Sequence, residues 1–73
     1  MSAVLTSVQD IWKSTLGVTD VEPDRNFFDA GGTSLLALKL IHAVESRFQV
    51  ELDLEEFFAE ATVSKLVGQV ESA

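Results

Sequence analysis

The sequence predicts an all-α fold, a small four-helix bundle of three longer helices and one short one. Three observations carry that prediction. Apolar residues recur at helical spacing in three separate stretches, and no strand-like alternation of useful length appears. Pro23 and three of the four glycines (Gly17, Gly31 and Gly32) fall together between the first two stretches, where they punctuate the chain. Finally, 73 residues allow a single domain over 1–73 with one core, near the small end of what folds without staples. Packing helix faces together is how so short a chain buries enough surface.

The first helix is expected over roughly 3–16. At roughly 100° per residue, Ile11, Val4, Val8, Trp12, Leu5 and Leu16 share one arc of about 140°. Ser2 suits its N-cap, and Gly17 suits a left-handed C-terminal position. Residues 17–33 follow as a loop, GVTDVEPDRNFFDAGGT. Loops longer than ~12–15 residues in compact domains are commonly functional, and Val18, Val21, Phe27 and Phe28 suggest that this one is pinned to the core. The second helix is expected over 35–48, with Ser34 at its start. Leu36, Leu40, Val44, Ala37, Phe48 and Ile41 form its core stripe, another arc of about 140°. Leu35 and Leu38 stand off that stripe, among Ser46, Lys39, His42 and Glu45, and make a small apolar patch on the wet face. Asp53 followed by Glu56 fits a cap with a reciprocal carboxylate three residues on, opening a short helix through LEEFFAE. Thr62 can cap a last helix in which Leu66, Val70, Val63 and Val67 share one face.

Composition narrows the function. Five Lys or Arg stand against twelve Asp or Glu, a formal charge of −7. Neutralising phosphates needs clustered basic residues, so a nucleic-acid partner is not expected. No apolar run approaches the ~20 residues of a membrane span, and MSAVLTSVQD does not read as a secretion signal. The absence of cysteine rules out disulfides, thiolate metal sites and cysteine nucleophiles. These observations describe a small, soluble, cytoplasmic acidic domain, too small to house a pocket and a catalytic set comfortably, and expected as a monomer.

Ser34 is the residue around which chemistry can be sought. Gly32-Thr33-Ser34-Leu35-Leu36 lacks the second glycine of the G-x-S-x-G nucleophile elbow. The only histidine, His42, lies eight residues along the same helix, on the order of 12 Å by helical rise and beyond reach as a base. A catalytic site is therefore not expected. A calcium loop beginning at Asp24 fails where Phe28, Asp29 and Leu35 occupy ligand or glycine positions, so no metal is expected either. Two readings remain. Gly31 and Gly32, lacking Cβ atoms, leave space for another protein to approach Ser34, and the start of a helix favours an attached anion such as a phosphodiester. Alternatively, Ser34 or Thr33 is simply the N-cap.

The stretch Asn26-Phe27-Phe28-Asp29-Ala30-Gly31-Gly32-Thr33-Ser34-Leu35-Leu36-Ala37-Leu38 resembles the core motif of carrier proteins. It is most similar to the peptidyl carrier (thiolation) domains of nonribosomal peptide synthetases, written D-x-F-F-x-x-G-G-[HT]-S-L, with the Asp falling on Asp24. Ile11-Trp12, the Leu54–Phe58 segment and Ala61-Thr62-Val63 extend the likeness over almost the whole chain. The resemblance implies an acyl-carrier-like fold and a carrier without catalysis of its own. It implies that Ser34 takes a covalent 4′-phosphopantetheine arm from coenzyme A, with the preceding Gly32 and Thr33 in the cofactor-binding set. A phosphopantetheinyl transferase would install the arm, and its thiol would hold an aminoacyl, peptidyl or acyl group as a thioester. The implied partners are an adenylating or loading enzyme and condensation, tailoring or thioesterase enzymes. Family carriers dock through the loop before the serine and the helix after it, which assigns docking to Leu35, Leu38, Lys39, His42 and Phe28.

Charge bears on the subfamily. Residues 20–29 hold four acids and one base, and residues 51–60 hold five acids and no base, whereas helix 35–48 holds only Glu45 against Lys39 and Arg47. Fatty-acid-type carriers resemble one another in an acidic helix after the serine, so this distribution favours the peptidyl type. Threonine at 33, where many peptidyl carriers have histidine, keeps an acyl carrier of a polyketide or mixed assembly line in play. An unmodified helical interaction domain using the Leu35/Leu38 patch and a small hydrolase are the remaining alternatives. Met1 and the absence of flanking domains suggest a discrete carrier, and a domain excised from a longer chain with an added methionine would read the same.

Overall fold

A computed structural model describes residues 3–72. Among them are four helices and no strand: α1 (Ala3–Leu16), α2 (Ser34–Phe48), α3 (Leu54–Ala59) and α4 (Val63–Ser72). The expected bundle of three longer helices and one short one is the observed fold. Ser2, the residue expected to cap α1, lies outside the described residues. No described helix is long and apolar enough to cross a membrane.

The central element is α1, which packs against both α2 and α4. Its stripe buries Val8 and Trp12 and half-buries Val4, Leu5, Ile11 and Leu16. The helix stops at Gly17, whose φ of +70° turns the chain. There the Gly17 and Val18 N–H groups both donate to the Lys13 carbonyl, at 2.8 and 3.1 Å, satisfying an acceptor that the helix end leaves open. On α2, Ala37, Leu40, Ile41 and Val44 are buried, with Leu36 and Phe48 half-buried beside them, the six residues of the expected stripe.

The end of α2 uses a device that the apolar pattern does not reveal. Gln49 adopts a left-handed φ of 56°, and its N–H donates to the Glu45 carbonyl. The Glu45 carboxylate, expected on the wet face, is half-buried and accepts the Leu52 N–H at 2.8 Å, holding the following segment against α2.

Asp53 caps α3 as expected, its Oδ1 accepting from the N–H groups of Glu55 (2.9 Å) and Glu56 (3.3 Å). The reciprocal half of that capping box does not form. Instead, Glu56 Oε2 accepts from Gln69 Nε2 at 2.9 Å, and the same nitrogen lies 3.4 Å from the Asp53 carbonyl, so the cap of α3 is tied sideways to α4. Thr62 caps α4 through Lys65 N–H at 3.2 Å, and Val63, Leu66 and Val70 are buried. Where the helices meet, Trp12, Phe27 and Phe57 pack edge to face, with Trp12 5.1 Å from Phe27 and Phe57 5.9 Å from Phe27.

Candidate functional site: the start of helix α2

The loop before α2 is fastened at its middle to the start of α4. Phe27 N–H donates to the Ala61 carbonyl at 2.7 Å, and Ser64 N–H donates to the Pro23 carbonyl at 3.1 Å. Ser64 Oγ also bonds Asp24 Oδ1 at 3.3 Å, which gives the motif aspartate a structural partner. From there the chain wraps around the fully buried Phe27. Asn26 Oδ1 accepts Phe28 N–H at 2.8 Å, and the Phe27 carbonyl accepts from Ala30 (3.2 Å) and Gly32 (2.9 Å).

The two glycines do different work. Gly31 has a φ of +103°, a conformation that side chains rarely adopt, and open space where a Cβ would point. Gly32 departs from the expectation of open space beside the serine. A Cβ there would fall onto the Phe27 ring and lie 2.8 Å from the Phe27 carbonyl oxygen. Its missing side chain is a core requirement, set by how closely the loop closes over Phe27.

Thr33 and Ser34 separate cleanly. Thr33 has extended geometry (φ −119°, ψ 169°), and its Oγ1 accepts from Leu36 N–H at 3.2 Å while its carbonyl accepts from Ala37 N–H at 2.8 Å. Thr33 is therefore the N-cap. Ser34 becomes the first helical residue, exposed, with no hydrogen bond engaging its hydroxyl among the described residues. The Ser34 and Leu35 N–H groups also lack an intramolecular partner there, and the first turn of α2 carries no acid. Free donors, a favourable helix dipole and a first helical turn without a carboxylate suit a phosphodiester on this hydroxyl.

The rest of the predicted surface is distributed along α2. Leu35 is 64% exposed and Leu38 48%, and Lys39 and His42 are exposed beside them. Phe28 is half-buried, edge-on to Phe27 at 5.6 Å and stacked on Phe58 at 5.7 Å with only 17° between the planes. Phe58, 42% exposed, is a surface aromatic that sequence reasoning passed over. The signal was present: adjacent residues on a helix point about 100° apart, so Phe57 and Phe58 cannot both face the core.

A family model described as the phosphopantetheine attachment site matches residues 6–70. The chain belongs to this family, as a peptidyl carrier protein. A peptidyl carrier protein solved in complex with the phosphopantetheine transferase Sfp and coenzyme A aligns with a TM-score of 0.94 at 34% identity, covering 100% of this chain and 95% of that one. Tyrocidine synthase 3 of Brevibacillus parabrevis is 42% identical over 63 residues, 86% of this chain. Polyketide synthase PksN of Bacillus subtilis is 38% identical over 63 residues, 81% of this chain. The carrier spans about 1% of the length of each of those two relatives. Its family's cofactor is phosphopantetheine, and the donors at the start of α2 fit that group's phosphate.

Proposed function

We propose that Ser34 Oγ is the attachment point of 4′-phosphopantetheine and that the chain shuttles aminoacyl or peptidyl groups between enzymes of nonribosomal peptide synthesis. The observation that carries this assignment is the division of labour between adjacent hydroxyls: Thr33 is occupied as the cap, whereas Ser34 is exposed and, among the described residues, unengaged. Ser34 has no base of its own, since His42 lies two turns along the same helix, on the order of 12 Å away. A phosphopantetheinyl transferase must therefore remove the hydroxyl proton. The bound arm supplies the thiol on which cargo is held as a thioester, and a chain without cysteine offers no competing thiol. The protein contributes no catalysis beyond presenting the serine, and a cytoplasmic location accords with coenzyme A as the donor.

Leu35 and Leu38, with Lys39 and His42 along one edge and Phe28 on the loop side, form the docking surface in this proposal. Its partners are the transferase, an adenylating or loading enzyme, and condensation, tailoring or thioesterase enzymes. A polyketide-type acyl cargo is the second reading, favoured by Thr33 and by the similarity to PksN.

The test is intact-mass measurement after incubation with coenzyme A and a broad-specificity transferase. The expected result is a gain of one phosphopantetheine that Ser34→Ala abolishes. Thr33→Val should keep the modification while losing about 1 kcal/mol of stability with its cap. Modification that survives Ser34→Ala would falsify the assignment. Offering the modified protein to an aminoacyl-adenylating enzyme and to an acyltransferase then separates the two cargo classes.

A further inference from the structure

Beside the loop lies a cleft of about 250 Å³ that the carrier function leaves without a role. Trp12, Leu16, Val18, Val21 and Ala30 supply its apolar lining; Trp12 is buried, Leu16, Val21 and Ala30 are half-buried, and Val18 is exposed. Its charged lining, Asp20, Glu22 and Arg25, is exposed, with two carboxylates against one guanidinium. The volume falls below the ~300–1,000 Å³ typical of drug-sized ligands and suits a group the size of one amino acid. The charge suits a small cation with an apolar body.

We infer that this cleft is a resting site for the cargo of the carrier's own arm, and that the cargo it takes is an aminoacyl group with an apolar side chain and a free α-ammonium. This rests on Ser34 as the attachment point. Ala30 lies only four residues before Ser34, so their Cα atoms are at most about 14 Å apart whatever path the chain takes. An extended phosphopantetheine is longer than that, so tethered cargo reaches the cleft while its effective concentration stays high. An amino acid bound as a thioester has given up its carboxylate, and its remaining charge is the ammonium. The Asp20/Glu22 pair complements that charge, while Arg25 offers donors to carbonyl groups of the arm. A straight-chain acyl group would fill the apolar part of the cleft and leave both carboxylates without a partner.

Trp12 is the only tryptophan in the chain, which makes emission from the cleft readable without a label. The intact protein is modified with coenzyme A analogues that carry leucyl, N-acetyl-leucyl or hexanoyl groups through a stable amide, and each product is first verified by mass. Trp12 emission and the backbone amide shifts of Leu16, Val21 and Ala30 are then recorded. The leucyl form should move all of these relative to the unloaded arm, and the N-acetyl and hexanoyl forms should move them far less. Asp20→Asn with Glu22→Gln, both at exposed positions, should lower the docked fraction by roughly fivefold. Equal shifts from all three cargoes, or indifference to the double substitution, overturn the inference. So does a verified leucyl carrier whose cleft signals match the unloaded form, and in that case the attachment assignment stands. A chain that takes no arm at all overturns both.

Discussion

Gly32 shows how a motif residue can be required for a reason that the motif does not state. Its Cα sits where the loop closes over Phe27, and even one methyl group would collide with that ring and crowd the Phe27 carbonyl. Phe27 has little room to yield, because Trp12 and Phe57 pack edge-on against it at 5.1 and 5.9 Å. Gly32→Ala is therefore expected to destabilise by about 1–3 kcal/mol, as overpacking does. That is a large share of the total for a 73-residue domain, which at typical values per residue is about 4–11 kcal/mol. Urea unfolding measures the loss. Adding Phe27→Leu to Gly32→Ala should cost less than the two single losses summed, because the smaller side chain relieves the clash. Strict additivity would place the strain elsewhere. None of this was legible from residue types alone. A pair of glycines announces a tight turn, but which one makes a close approach depends on a ring brought in by tertiary packing.

At the scale of the helix, period was the strongest guide. The stripes of α1, α2 and α4 fall where their spacing places them, and Leu35 and Leu38 stand exposed as the wheel requires. This separation has a direct check. Leu40→Ala should lose about 2–5 kcal/mol of stability, since Leu40 is fully buried, while leaving docking geometry intact in the molecules that remain folded. Leu38→Ala should cost far less stability and should instead slow transferase modification or cargo loading. Parallel denaturation curves and modification rates distinguish the two, and equal stability losses would contradict the assignment of faces. Helix ends were less legible than helix faces. Gly17 and Asp53 terminate and cap as their residue types suggest, but Gln49 enters the left-handed region without being glycine. Glu56 likewise forsakes its own cap for Gln69, thirteen residues away. Such choices are made by partners that sequence spacing does not bring together.

For the molecule as a whole, charge is the dominant long-range quantity. A net −7 is held within 27 × 27 × 19 Å, and nine of the twelve acids fall in residues 20–29 and 51–60. At ~10 mM salt the screening length is about 30 Å, longer than the molecule, so the acids repel one another throughout it; at ~150 mM it falls to about 8 Å. Raising sodium chloride across that range should therefore raise the thermal midpoint. Recovery of about 0.5–1 kcal/mol would appear as roughly 2–8 °C in a domain of this size. Scanning calorimetry tests this, and a midpoint that stays level or falls would show that local attractions offset the repulsion. With Lys39 and Arg47 against Glu45, α2 itself adds no negative charge to this total.

The bonds from Phe27 to Ala61 and from Ser64 to Pro23 also impose an order in time. The partners that hold the loop belong to the last quarter of the chain. During synthesis, residues 20–34 emerge well before the groups that will pin them. The loop cannot take its final course until residues 61–64 have been made and α4 has docked against α1. The surroundings of Ser34 are therefore complete only once the bundle has closed, and under the proposed assignment an unfinished chain would offer a transferase an unformed site.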